Sequence, residues 1–187
     1  EPIVKSDAAG DEVMQWLAST GSSKITFDED SSNKMSISVP TMTVGSLDIG
    51  HGAGGVTNTA VGTDALDSSH ASATDNTAIG NNALTGTHTA AAVKNTAVGS
   101  GAGAAITTGS KNTFVGNAAG DATDNGDFNT AVGEGALGSD CVDNNTAVGR
   151  LALYNFTGSN ATAVGKSAGY AAVSAAGITA VGYNALG

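Results

Sequence analysis

The pentapeptide Asn58-Thr59-Ala60-Val61-Gly62 keeps returning along this chain. It recurs at Asn95, Asn129 and Asn145, with the variants NTAIG at Asn76, NTFVG at Asn112, ATAVG ending at Gly165 and ITAVG ending at Gly182. Measured from closing Gly to closing Gly, the steps are 18, 19, 17, 17, 16, 16 and 17 residues. Each copy runs on through two variable residues to Ala and then Leu or Gly, from Ala65-Leu66 to Ala185-Leu186. A weaker copy, Ile49-Gly50-His51-Gly52-Ala53-Gly54, starts the series. A fixed period means stacked, mutually dependent units. Helical repeats need about 33 residues or more, and this unit is too short for one. Its Thr, Val, Gly and Asn favour strands and turns. The pattern predicts an all-β chain: a parallel β-solenoid, or β-roll, of about 8–9 coils with a period of about 17 residues. Rungs at roughly 4.8 Å would give a rod of about 40 Å.

Within a strand, Thr and Val share one face and Ala takes the other. The expectation is that the apolar column Val61, Ile79, Val98, Val115, Val132, Val148, Val164 and Val181 fills the interior and meets Leu there. The column Ala60, Ala78, Ala97, Phe114, Ala131, Ala147, Ala163 and Ala180 stays small and apolar where a solvent-facing position would vary. Strands apolar on both faces are usually covered on both. One Val and at most one Leu per coil also make a thin core. The Ala column is therefore expected to be the interface with other copies of the chain. The closing Gly suits a corner with positive φ. The Asn column (Asn58, Asn76, Asn95, Asn112, Asn129, Asn145) suits a stacked amide ladder at the opposite corner.

Residues 1–47 stand outside the repeat and the solenoid is assigned to 48–187. Val13, Met14, Trp16 and Leu17 form a short apolar cluster, read as a helical turn or an edge strand. Lys24 to Val39 alternates apolar and polar residues around a turn at Asp28 to Asn33, which predicts a hairpin. Pro40 separates it from the repeat. This segment is expected to cap the solenoid or to act as an attachment arm by strand addition.

The chemistry on offer is sparse. Net charge is −10, with 7 basic residues among 187, too few for a phosphate-binding stripe, so no nucleic acid partner is expected. No apolar run approaches the roughly 18 residues needed to span a bilayer, so no membrane insertion is expected. Cys141 is the only Cys, which rules out an internal disulfide. His51, His70 and His88 do not form one column of the repeat. Asp121, Thr123, Asn125 and Gly126 are ordered like a calcium loop, but Val132 stands where a bidentate Glu is required. These acids and Asp140 with Asp143 are read as solvated turns. No catalytic motif appears, so no enzyme, cofactor or metal site is expected. Asn144, Asn155 and Asn160 lie in glycosylation sequons, relevant if the source glycosylates exported chains.

The NTAVGxxA(L/G) unit resembles the repeat of phage and virus tail-fibre or head-fibre proteins, over roughly residues 48 to 187. It is also similar to the Asn-Ser-Val-Ala-Ile-Gly repeat in the head of trimeric autotransporter adhesins, a trimer of left-handed β-rolls. The resemblance implies a homotrimer or filament on a virion, in the extracellular space or at a cell surface. It also implies a structural fibre role, with host-glycan or surface-receptor attachment through the variable connections. Tyr154, Phe156, Tyr170 and Tyr183 are the aromatic sugar platforms on offer. A bacterial adhesin head and an ice-binding solenoid are the alternatives. The second would present the regular column Thr59, Thr77, Thr96, Thr113, Thr130, Thr146, Thr162 and Thr179, which the interior-Val reading buries.

Overall fold

The computed structural model is all-β, with no helix among the described residues. It describes residues 57–68, 72–174 and 177–187, together with the backbone of five short strands before them. The chain divides into two units, Glu1–Leu47 and Asp48–Gly187. In the first, β1 (Ile3–Ser6) pairs antiparallel with β2 (Glu12–Gln15), and β3 (Lys24–Phe27) pairs antiparallel with β4 (Met35–Ser38). The predicted hairpin is thus present, with Ile25 opposite Ile37 and Phe27 opposite Met35. Val13 and Met14 of the apolar cluster lie in strand β2; Leu17 lies outside the described residues. The turn at Asp28 to Asn33, Trp16, Pro40, His51 and His70 lie outside the described residues.

The second unit is the solenoid. Eight three-residue strands stack in parallel and in order: β6 (Thr59–Val61), β7 (Thr77–Ile79), β8 (Thr96–Val98), β9 (Thr113–Val115), β10 (Thr130–Val132), β11 (Thr146–Val148), β12 (Thr162–Val164) and β13 (Thr179–Val181). Register is strict, Thr on Thr, Ala on Ala and Val on Val, for example Thr130, Ala131 and Val132 on Thr146, Ala147 and Val148. The weak first copy does not continue the stack. Its strand β5 (Ile49–Gly50) lies antiparallel to β6.

The two strand faces are the reverse of the expectation. The whole Ala column is inside: Ala60 and Ala180 are almost fully buried, and Ala78, Ala97, Phe114, Ala131, Ala147 and Ala163 are 0% exposed. The Val column points out. Val132 and Val148 are each 37% exposed, Ile79 39%, Val164 40% and Val181 68%; Val115 is likewise exposed, and Val61 and Val98 are half-buried. Neither the interior role of Val nor the interface role of Ala survives. The reason is room. Across the coil stands the return wall, whose Leu66, Leu84, Leu137 and Leu153 are completely buried. Leu fills the space that Ala leaves; Val opposite Leu would overfill it.

Backbone geometry explains the Leu-or-Gly alternation. That position is left-handed in coil after coil: φ is 54° at Leu66, 50° at Leu84, 52° at Leu137 and 51° at Leu153, and 60° to 67° at Gly103, Gly120 and Gly169. A non-Gly residue there costs roughly 1–2 kcal/mol, which burial of a Leu side chain, about 1.5–3 kcal/mol, offsets. Gly appears where a neighbour already occupies the volume. A Cβ on Gly120 would lie 2.6 Å from the Phe114 ring, and one on Gly103 would lie 3.0 Å from it and 2.8 Å from Leu84. Phe114, the single departure from Ala in its column, stands in for the side chains absent at these two positions. The closing Gly is constrained twice over. Gly149 has φ 132° and a Cβ there would meet the Gly165 carbonyl oxygen at 2.5 Å, so neither the turn nor the stacking admits a side chain.

Candidate interaction face

The buried corner is built by the Asn column. Each amide oxygen accepts the backbone N–H of the next Asn: Asn76 to Asn58 at 2.8 Å, Asn129 to Asn112 at 2.8 Å, Asn145 to Asn129 at 2.9 Å. Each amide nitrogen donates to a carbonyl of the incoming connection, as Asn129 does to Val142 at 2.7 Å. The ladder is therefore mainly amide-to-backbone, with one amide-to-amide contact from Asn112 to Asn95 at 3.1 Å. The residue before five of the six ladder Asn is left-handed, with φ of 62° at Asp75, 61° at Lys94, 58° at Lys111, 58° at Phe128 and 62° at Asn144. That turn swings the Asn inward and leaves its predecessor outside. Asn129→Leu strands the Asn145 N–H and leaves the Val142 carbonyl only the long 3.4 Å bond from the Asn145 amide. Each unsatisfied buried group costs about 1–3 kcal/mol, so a loss of roughly 2–5 kcal/mol is expected by urea denaturation.

With Ala and Asn inside, Thr and Val make the outer face of the sheet. Its two rows carry no charge over eight rungs. The charges stand at its borders. Beside the Val row, the residues after the closing Gly include Glu134, Arg150 and Lys166; Arg150 Nε bonds Glu134 Oε2 at 3.1 Å, and Lys166 Nζ lies 5.5 Å from the centre of the Tyr183 ring. Beside the Thr row stand Lys94, Lys111, Asp127 and Asp143, with Lys111 Nζ 4.5 Å from the centre of the Phe128 ring.

The acidic connections act as a second ladder that the sequence reading missed. Asp127 Oδ1 accepts the Ser110 N–H at 2.6 Å and its hydroxyl at 3.0 Å. Asp143 accepts the Asp127 N–H at 2.9 Å and Asp140 the Asp124 N–H at 3.1 Å. The Thr107 hydroxyl donates to Asp124. The signal was a Ser or Asp two residues before the ladder Asn in successive coils. The calcium-like loop is not gathered around one point, since Thr123 is buried with its hydroxyl 3.4 Å from Cys141 Sγ. Burial pushes the Cys141 thiol and the Asp121 carboxyl up from their ordinary values. No group of three or more His, Cys, Asp or Glu converges to hold a metal among the described residues.

Of the aromatic residues, Phe156 is fully buried and is no platform. Tyr154 and Tyr170 stack on each other, 5.7 Å between centres and 7° apart, which occupies the facing sides of both rings. Asn144 and Asn160 are exposed in neighbouring coils; Asn155 is half-buried and donates its amide to the Tyr170 carbonyl at 3.0 Å.

His88 is 3% exposed, and burial holds its pKa down to about 4 from 6.5. The folded chain therefore keeps His88 neutral while the unfolded chain takes up a proton below pH 6.5. Stability from this group is intact above pH 6.5 and falls as pH drops toward 4. The expected loss is roughly 3 kcal/mol. The next coil places the buried Ile106 at the equivalent point, so His88→Ile should remove this part of the acid sensitivity. Denaturation of both chains at pH 7 and 4.5 checks it.

Compared with protein-family models, with curated proteins and with solved structures, the chain shows no match.

Proposed function

We propose that this chain is a structural segment of a viral fibre or another extracellular filament, and that identical copies associate through the Thr–Val face into a rigid rod. The observation that carries the reading is that face: uncharged, in register and solvent-facing, on a chain of net charge −10. Strand propensity, which spans about 1 kcal/mol and which Thr also satisfies, does not by itself require Val or Ile at every rung outside. A second copy offers the same rung spacing, so the Thr and Val rows of two copies can pack together along the whole length, as in aligned sheet packing. Backbone hydrogen bonds between coils, buried Leu and Ala, and the Asn ladder supply stiffness; the connections remain free for attachment to a host glycan or surface receptor. The resemblance to fibre repeats and adhesin heads points the same way. Ice binding is the second reading, favoured because the Thr column is now seen outside, as half-buried to exposed residues. Light scattering with negative-stain imaging decides. The fibre reading expects stable oligomers or filaments. A compact monomer of 18.0 kDa overturns it, and thermal hysteresis from that monomer would establish the ice-binding reading instead.

A further inference from the structure

The basic residues of the described solenoid, Lys94, Lys111, Arg150 and Lys166, all border the Thr–Val face. Their arrangement has an order. Along the Val margin, three successive coils carry Glu134, Arg150 and Lys166: negative, positive, positive. Along the Thr margin, starting one coil earlier, three successive coils carry Lys111, one residue before its ladder Asn, and Asp127 and Asp143, each two residues before theirs: positive, negative, negative. The two series are complementary at every step. Inside one copy they lie on opposite sides of the strand and are not paired with each other in the structure.

We propose that the Thr–Val face docks a second, parallel copy of this chain, the Val margin of one copy lying along the Thr margin of the next. Glu134 then meets Lys111, Arg150 meets Asp127, and Lys166 meets Asp143. The proposal rests on the self-association reading above and adds its direction and register. The one-coil step is about 4.8 Å, a rise that the long side chains of Glu, Arg and Lys span. Area argues for the margins as well. The strip is some 35 Å long and about 15 Å wide, roughly 500 Å², against about 800 Å² per partner in a standard interface. Contact must extend past the Thr and Val rows to the bordering charges. An antiparallel copy related by a two-fold axis across the strip would bring Val margin to Val margin, and pairing Glu134 with Lys166 there sets Arg150 against Arg150. Within one copy the Arg150–Glu134 pair is half exposed and contributes only about 0–1 kcal/mol. Asp127 and Asp143 each use one carboxylate oxygen on their own coils, for Ser110 and for the Asp127 N–H, which leaves the second oxygen for a cation of the neighbouring copy.

The test is a charge reversal with a rescue. E134K/R150E/K166E reverses the Val margin and keeps the 134–150 pair with its signs exchanged. Association measured by sedimentation over a concentration series should weaken roughly tenfold or more, with circular dichroism unchanged. Adding K111Q/D127N/D143N removes the like charges created across the boundary and should recover part of the loss; Asn keeps an oxygen for the N–H groups that Asp127 and Asp143 now serve on their own coils. Association of the native chain should also weaken as salt rises. A reversed chain that assembles like the native one, a loss that neutralisation does not relieve, or association indifferent to salt each overturns the margin pairing and leaves the fibre reading standing. A native chain that is monomeric overturns both.

Discussion

Phe114→Ala should destabilise the solenoid by about 3–5 kcal/mol, the range for emptying a fully buried Phe site. The ring is 0% exposed and supports two coils whose own wall residue is Gly. A Cβ on Gly120 would approach it to 2.6 Å, and one on Gly103 to 3.0 Å. Alanine at 114 restores the consensus of its column but leaves a void, because neither Gly103 nor Gly120 supplies a Leu. The compensating change follows from the repeat. Gly120→Leu alone drives a side chain into the ring and is expected to destabilise. In the Phe114→Ala background the same change fills the void, at a backbone φ of 60° close to the 50° to 54° that Leu66, Leu84, Leu137 and Leu153 adopt. Stability is thus lost on the native background and partly regained on the variant, a coupling expected only between residues that share a volume. Urea denaturation of the four chains measures it. A Gly120→Leu effect equal on both backgrounds would show that Phe114 does not fill this space.

Architecture was legible because one period fixed the unit, its length and its stacking. The corner Gly and the Asn column were also legible, since φ above zero and repeated amides carry their own physics. The orientation of the strand was not. A three-residue strand shows which residues share a face, and hydropathy then favours Val over Ala for the inside. The deciding clue lay one residue earlier. Asn129 and Ala131 are two apart, hence on one face, and an Asn that donates to Val142 and accepts from Asn145 must be buried. If the Asn column is inside, Ala follows it and Val goes out. The acidic ladder was missed for another reason: Asp in a turn looks solvated until the coil above places an N–H against it, as Asp127 does for Asp143.

The reversed faces make the sharpest expected contrast, between two adjacent residues given the same substitution. Ala131→Asp puts a carboxylate at a 0% exposed position opposite the Leu wall, with no cation facing it. Burying an uncompensated charge costs about 3–5 kcal/mol or more, and the loss should spread beyond one coil because each rung is the template for the next. Val132→Asp is expected to cost the folded chain no more than about 1 kcal/mol, the span of strand propensities, since that side chain is already 37% exposed. Its effect belongs to assembly. In the proposed assembly it places a negative charge on the Thr–Val face where every copy presents an uncharged row, and the proposed oligomer should fall to monomers that melt like the native fold at equal dilution. Thermal denaturation reads the first effect and light scattering the second. Had Val faced the interior and Ala the neighbouring copy, the two outcomes would exchange: Val132→Asp would unfold the chain and Ala131→Asp would only separate the copies. Both positions are needed, because destabilisation alone also dissolves an oligomer, and only a folded monomer of the Val132 variant ties the apolar row on this face to the contact between chains.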